Sequence, residues 1–116
     1  MTVCDPATVV LVRFPFTDLS SAKKRPAVVL SSRDYAQRHG DVVLIPLTSV
    51  PQSDDALRLS RWQDAGLLKA TWIKPIVATV SQSLIERTLG SLHDDDRLRI
   101  RDALHAMLAP VFRAPS

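Results

Sequence analysis

The sequence predicts a mainly β fold in one domain: a small, strongly bent sheet or barrel with one C-terminal α-helix packed across an opening. Three observations predict it. Short runs of β-branched and aliphatic residues, separated by proline and polar stretches, fill the first two-thirds of the chain. The last third changes to a helical period. The length of 116 residues is typical of one domain, and it is sufficient to bury a core without disulfides or metal.

Strands are predicted at residues 8–14, 27–31 and 41–47, and in the extended stretches ATWIKP and IVATV around Pro75. The first run, TVVLVRF, is rich in β-branched residues and stops at Pro15, which cannot donate to a central ladder. The runs show little alternation of apolar and polar residues, as expected where both faces of a sheet are covered. Residues 15–24 and 49–55 are predicted to be exposed polar loops, and residues 38–40 to form the turn before the third strand.

A C-terminal amphipathic helix is predicted from apolar residues spaced i, i+3, i+4, i+7 and i+8. These residues are Ile100, Ala103, Leu104, Met107 and Leu108. We interpret the acidic run at residues 94–96 as the start of this helix, where the macrodipole favours negative charge, rather than as a metal site. Pro110 is predicted to end the helix.

Composition and motifs exclude several classes of function. The chain has no glycine-rich phosphate loop, no dinucleotide fingerprint, no HExxH motif and no paired-cysteine spacing, so we predict no metal and no cofactor. Cys4 is alone and is interpreted as a reduced, incidental thiol. The N-terminus lacks the pattern of a secretory signal, and no apolar run approaches the roughly 20 residues of a membrane-spanning helix. We therefore expect a cytoplasmic protein with no membrane partner.

A cluster of cations precedes the second predicted strand. Lys23, Lys24 and Arg25 lie there, and the segment PLTS at residues 46–49 ends the next strand. If the two strands are antiparallel neighbours, the start of one lies beside the end of the other, and Arg25 approaches Thr48. A guanidinium and a hydroxyl placed in this way would bind a phosphate and stabilise charge in a phosphoryl transition state. On the spacing alone, the alternative interpretation is that these cations lie in a solvated loop and bind no ligand.

The chain resembles the PemK/MazF family of toxins from type II toxin–antitoxin systems. The resemblance rests on RFPFTDLSSAKKRPAVVLSS followed by DVVLIPLTS, and it continues through AGLLKATWIKP, SLIERTLGSL and the terminal helix, over residues 9–108. The chain departs from the family where many members have a Gly-Asp pair, since this sequence has Pro6-Ala7-Thr8. The loop at residues 17–24, which borders the RNA groove in the family, is short and lacks glycine.

The resemblance implies a small SH3-like β-barrel with a C-terminal helix, a homodimer, and a metal-independent endoribonuclease. Such enzymes cleave single-stranded RNA, typically mRNA, by attack of its own 2′-hydroxyl, which leaves a 2′,3′-cyclic phosphate and a 5′-hydroxyl. The family's catalytic arginine and threonine correspond to Arg25 and Thr48. Ser31, at the end of RPAVVLS, and Ser49 are further substrate contacts under this resemblance. An acidic antitoxin whose disordered segment folds into the basic groove is the expected partner.

The chemistry of the guanidinium refines these roles. A guanidinium is protonated at neutral pH and is therefore a poor proton acceptor, so we assign Arg25 to phosphate binding and charge stabilisation, with proton donation to the leaving 5′-oxygen as an option. The general base stays open between water, a phosphate oxygen and His39. Lys23, Lys24 and Arg87 are predicted to hold the RNA backbone.

A non-catalytic toxin on the same barrel, such as a gyrase inhibitor of the CcdB type, is the alternative function. Inhibitors of that type act through their C-terminal residues, and the tail VFRAPS does not resemble theirs. The net charge of +3 favours an anionic partner without distinguishing the two functions.

Overall fold

The computed structural model describes residues 4–14 and 23–114, so most of the predicted loop at residues 15–24 lies outside the described residues. In chain order the elements are β1 (Thr8–Arg13), β2 (Lys24–Val29), α1 (Arg33–His39), β3 (Asp41–Thr48), β4 (Trp72–Ile73), β5 (Ala78–Ser81), β6 (Ile85–Ser91) and α2 (Asp94–Leu108). Short 3₁₀ turns lie at Asp55–Leu57, Gln63–Ala65, Gln82–Leu84 and Ala109–Phe112.

The six strands of the described residues form one antiparallel sheet, in which five follow the order β4-β3-β2-β1-β6 and β5 pairs with β3 off this path. Strand β3 is long enough to pair twice on one side, with β5 along its first half and with β4 at its end. The two ends of the order, β4 and β6, do not pair with each other within the described residues, so the sheet is open there. The predicted class, mainly β with a C-terminal helix, is confirmed.

Both faces of the sheet are covered, which explains the weak alternation in the strands. Val10 and Val12 of β1 belong to one hydrophobic cluster, and Val9 belongs to the other. Helix α1 contributes Ala36 to the first cluster, whereas α2 contributes Ile100 to the second. A strand buried on both faces needs apolar residues at successive positions.

Helix α2 begins at the acidic run, as predicted. Of the predicted stripe, Ile100 and Ala103 are buried, while Leu108 is 47% exposed, so the core contact ends before the last turn. The helix ends at Leu108, and Pro110 lies in the 3₁₀ turn that follows. Asp96 is fully buried. Its carboxylate accepts hydrogen bonds from the backbone N–H and hydroxyl of Ser60 and from the backbone N–H of Arg61.

The structure contains two elements that the apolar pattern did not indicate. Helix α1 buries a single residue, Ala36, and therefore has no apolar stripe. Its signals are local: Ser32 accepts a hydrogen bond from the backbone N–H of Tyr35, and Gly40 ends the helix with φ +69°. Strand β6 buries only Ile85 among its first four residues, because it pairs through its backbone with β1 while its charged side chains face outward.

Strand β2 begins at Lys24, three residues earlier than predicted, and it includes Pro26. Pairing with β3 starts only at Ala27, so β1 alone flanks the strand at the proline. The missing N–H of a proline is tolerated where one side of a strand has no ladder partner. The cationic end of β2 is thereby held in the sheet rather than in a loop.

The chain enters β1 through a backbone conformation that alanine rarely adopts. Ala7 has a φ of +69°, which is unfavourable for a residue with a Cβ. Two hydrogen bonds hold it there: its N–H donates to the Val29 carbonyl, and its carbonyl accepts from the Leu92 N–H. Pro6-Ala7-Thr8 thus forms an ordered turn.

Candidate active site

The register of the sheet brings the two predicted catalytic residues together. Strands β2 and β3 are antiparallel neighbours, with Ala27 opposite Pro46. The ladder between the two strands ends at this pair, and Arg25 and Thr48 each lie two residues beyond it, at the same end of the two strands. The neighbouring-strand geometry on which the phosphate-site prediction depended is confirmed.

Arg25 and Thr48 line a cleft of about 490 Å³, here called the basic cleft. It lies between the start of β2, the end of β3, the segment at residues 66–71 and strand β6. Of the residues that the structure describes, four cationic side chains line it: Lys24, Arg25, Lys69 and Arg87. No carboxylate contributes to the lining among the described residues. Such a lining attracts a polyanion.

The four cations are not equivalent. Lys24 and Arg13 both form ion pairs with Glu86, at 2.9 Å and 2.7 Å. Hydrogen bonds from Lys24 and then from Arg13 hold the pKa of Glu86 below its ordinary value. Within the described parts of the chain, Arg25, Lys69 and Arg87 have no carboxylate partner at ion-pair distance. These three are therefore the cations that an anionic ligand can bind without competition.

Thr48 is placed to donate a hydrogen bond into the basic cleft. Its side chain is buried, with 7% of the residue exposed. The hydroxyl oxygen accepts a hydrogen bond from the backbone N–H of Val50 at 3.1 Å, and the hydroxyl proton stays available for a second partner. Ser49, which is exposed, lines the basic cleft beside it.

Three residues named from the sequence lie elsewhere. Lys23 is exposed immediately before β2 and does not line the basic cleft. Ser31 follows the opposite end of β2, and its hydroxyl accepts a hydrogen bond from the backbone N–H of Val43 at 2.9 Å. His39 ends helix α1 and contacts the ring of Tyr35, with 4.5 Å between ring centroids. The structure does not bring Ser31 or His39 to the basic cleft.

The segment at residues 66–71 forms a wall of the basic cleft that sequence reasoning did not identify. Gly66 has a φ of +80°, and a Cβ there would lie 2.1 Å from the carbonyl oxygen of Leu89. The wall is thus packed directly on β6. Lys69 and the exposed Leu68 follow this contact, and the Thr71 hydroxyl donates to the Lys69 carbonyl at 2.8 Å. No periodicity marks a surface loop of this kind.

A larger groove, of about 690 Å³, lies between α2 and the turn at Asp55–Leu57. Its charged lining consists of Asp54, Asp95, Asp102 and Arg99. The excess of carboxylates repels a nucleic acid backbone. The smaller basic cleft is therefore the candidate site, although it is not the largest cavity.

Two further features bear on cofactors and membranes. Among the described residues, no three His, Cys, Asp or Glu side chains converge as a metal ion would require. Within the same ranges, no helix has both the length and the apolar character needed to cross a bilayer.

The model of a known family matches most of the chain. Residues 5–108 match the family described as the PemK-like, MazF-like toxin of type II toxin-antitoxin systems. The chain belongs to this family. The resemblance inferred from the RPAVVLS and PLTS segments is confirmed. No curated protein sequence matches this PemK/MazF-like toxin significantly.

Solved structures share the fold of this PemK/MazF-like toxin. The Mycobacterium tuberculosis toxin MazF-mt6 superposes with a TM-score of 0.72 at 14% identity, over 88% of this chain and 96% of the other. A Deinococcus radiodurans structure of MazE-MazF gives a TM-score of 0.73 at 21% identity, over 90% and 95% of the two chains. An endoribonuclease from a mycobacterial species, solved with its cognate antitoxin, gives 0.72 at 15% identity, over 96% and 98%.

Proposed function

We propose that this PemK/MazF-like toxin is an endoribonuclease that cleaves single-stranded RNA at a phosphate held by Arg25 and Thr48. The observation that carries the proposal is the basic cleft: among the described residues its lining has four cations and no carboxylate, and it includes both Arg25 and Thr48. One of the proteins that share this fold is itself an endoribonuclease, which accords with the proposal.

The cleavage step uses the RNA's own 2′-hydroxyl as the nucleophile. The ribose 2′-oxygen attacks the adjacent phosphorus, a P–O2′ bond forms, and the P–O5′ bond breaks. The products are a 2′,3′-cyclic phosphate and a 5′-hydroxyl. Negative charge builds on the non-bridging oxygens, where the guanidinium of Arg25 binds and the hydroxyl of Thr48 donates. The Val50 N–H donates to the Thr48 oxygen, which leaves the hydroxyl proton available to the phosphate.

Proton transfer completes the step. The 2′-hydroxyl loses one proton, and the leaving 5′-oxygen gains one, either from water or from the Arg25 guanidinium, which then regains its proton from solvent. Within residues 4–14 and 23–114, no histidine or carboxylate lines the basic cleft. The proposal therefore assigns the 2′-hydroxyl proton to water or to a phosphate oxygen.

The proposal includes two protein partners. The first is an acidic antitoxin segment, which would neutralise the basic cleft and exclude RNA from it. Complexes of MazE with MazF are among the structures that share this fold. The second partner is another copy of the chain, in a homodimer. Salt-sensitive inhibition of cleavage by an acidic peptide, and the mass of the toxin in solution, test these two partners separately.

The direct test is incubation of the purified toxin with single-stranded RNA in EDTA. We expect wild-type cleavage to give 5′-hydroxyl ends and cyclic phosphates, and no cleavage of DNA of the same sequence. Arg25→Ala and Thr48→Val should each lower the rate by about 10²- to 10³-fold, since each removes a donor to the developing charge. Arg101→Ala, on the exposed face of α2, is the matched control and should keep the wild-type rate.

Two outcomes contradict the proposal in different ways. Full activity in both Arg25→Ala and Thr48→Val would refute the site but leave the activity standing. Intact RNA together with inhibited DNA supercoiling by gyrase would favour the non-catalytic alternative.

A further inference from the structure

The wall of the basic cleft at residues 66–71 runs beside the proposed catalytic residues. Strand β4 pairs with the end of β3, and Trp72 lies opposite Thr48. Lys69 is three residues before Trp72, so at about 3.3–3.6 Å per residue its backbone lies within about 11 Å of that pairing. The wall therefore lies within about one or two nucleotides' reach of Thr48.

This wall is held in place along its length. Gly66 packs backbone to backbone on Leu89, and Gly90 packs in the same way on Ala65. At the other end, the Leu59 N–H donates to the carbonyl of the buried Thr71, and the Thr71 hydroxyl donates to the Lys69 carbonyl within the wall. The two side chains between these anchors are consequently presented from a fixed backbone, which lowers the entropy lost when they bind a ligand.

The two presented side chains have complementary chemistry. Leu68 is 95% exposed, the largest value among the exposed large apolar residues of the described chain. Lys69 borders the basic cleft and has no carboxylate partner among the described residues. A single exposed leucine is ordinary on a protein surface. The wall presents an apolar side chain next to a cation without a carboxylate partner. These two groups are complementary to the two parts of one nucleotide, the apolar face of its base and its phosphate.

We propose that Leu68 and Lys69 form a nucleotide subsite next to the cleavage point. Lys69 binds a backbone phosphate adjacent to the scissile one, and Leu68 packs against the unstacked base at that position. The subsite rests on the proposed ribonuclease function. Together, the pair makes affinity depend on a second phosphate and makes cleavage depend on the flanking base.

Lys69 is tested by binding, without any need for cleavage. The probe is a short fluorescein-labelled RNA of mixed sequence with 2′-O-methyl groups, which remove the nucleophile. We expect Lys69→Ala to bind more weakly than wild type at about 50 mM salt and to show a log–log salt slope shallower by about 0.7, the value for one phosphate of a single strand. Lys69→Arg should keep the slope, as should Lys74→Ala, an exposed lysine outside the cleft lining. A wild-type slope in Lys69→Ala would overturn the phosphate contact.

Leu68 is tested by mapping cleavage ends on a long RNA. We expect Leu68→Ala to cut with a weakened base preference at one position beside the cleavage point. Val111→Ala, which also changes a highly exposed aliphatic residue, should cut as wild type does. An unchanged preference would overturn the base contact. If Leu68→Ala keeps the base preference but changes its mass in sedimentation, the base contact is also overturned, because Leu68 then contacts a second copy of the chain.

The two proposals fail separately. If the wild-type toxin binds the methylated RNA but never cuts natural RNA, the ribonuclease function is refuted while the salt slopes still decide the role of Lys69. If the toxin cuts RNA and both variants behave as wild type, only the subsite is refuted.

Discussion

Replacing Gly66 by alanine tests whether close packing on β6 gives the basic cleft its shape. A Cβ at Gly66 would lie 2.1 Å from the Leu89 carbonyl oxygen, at a φ of +80°. An ordinary carbon–oxygen contact is about 3.3 Å or more, so the wall or β6 must move by about 1 Å. Gly40 is the matched control, because its φ is +69° but nothing lies within 4 Å of its Cβ position.

The difference between the two variants isolates the steric term. The left-handed conformation costs an alanine about 1–2 kcal/mol at either site, and overpacking adds about 1–3 kcal/mol at Gly66 alone. We therefore expect Gly40→Ala to lose about 1–2 kcal/mol and Gly66→Ala about 2–5 kcal/mol in urea unfolding. Gly40→Ala should also keep its RNA cleavage rate, whereas Gly66→Ala should lose rate. Equal destabilisation of the two variants would refute the close-packing argument.

Three further predictions concern single contacts. Asp96→Asn should lower the free energy of unfolding by about 1–3 kcal/mol in urea, because an amide N–H₂ then faces a backbone donor of Ser60 or Arg61; unchanged stability would contradict the buried hydrogen bonds. The pKa of Glu86 is lower in the folded chain than in the unfolded chain. Ionised Glu86 therefore stabilises the fold at pH values above its unfolded pKa, and this stabilisation is lost as the pH falls through its folded pKa. Glu86→Gln should consequently flatten the acid side of a profile of melting temperature against pH. Val50→Pro removes the N–H that holds Thr48 and should slow RNA cleavage, while Val50→Ala should not; equal rates would show that this hydrogen bond is dispensable.

The parts of the fold predicted from the sequence are those that depend on burial. Strands β1 and β3 and helix α2 have apolar runs or stripes, because each contributes several side chains to a core. Helix α1 and strand β6 were missed for the opposite reason, since their formation depends on caps and backbone pairing. Asp96 illustrates a second limit of prediction from sequence. The acidic run indicates where helix α2 begins, but it does not indicate that the buried Asp96 carboxylate accepts hydrogen bonds from Ser60 and Arg61, which lie 36 and 35 residues earlier in the chain.

The residues of the candidate site also fall into those that the sequence indicates and those that it does not. The positions of Arg25 and Thr48 follow from the pairing of β2 with β3, and the apolar runs of these two strands indicate that pairing. Ser31 and His39 lie near these runs in sequence, but strand direction and helix α1 carry them away from the basic cleft. Lys24 lines the cleft, yet its ion pair with Glu86 depends on the unpredicted strand β6. Lys69 comes from a surface segment positioned by Gly66, and no sequence pattern encodes that contact.

The central claim is that Arg25 and Thr48 act on the same phosphate. A double-mutant cycle on single-turnover cleavage of single-stranded RNA in EDTA tests it most directly, with wild type, Arg25→Ala, Thr48→Val and the double variant compared. Residues that act as a unit give non-additive losses. We predict that the double variant is little slower than the slower single variant. Losses that multiply in the double variant would contradict the claim and would place the two side chains in separate steps.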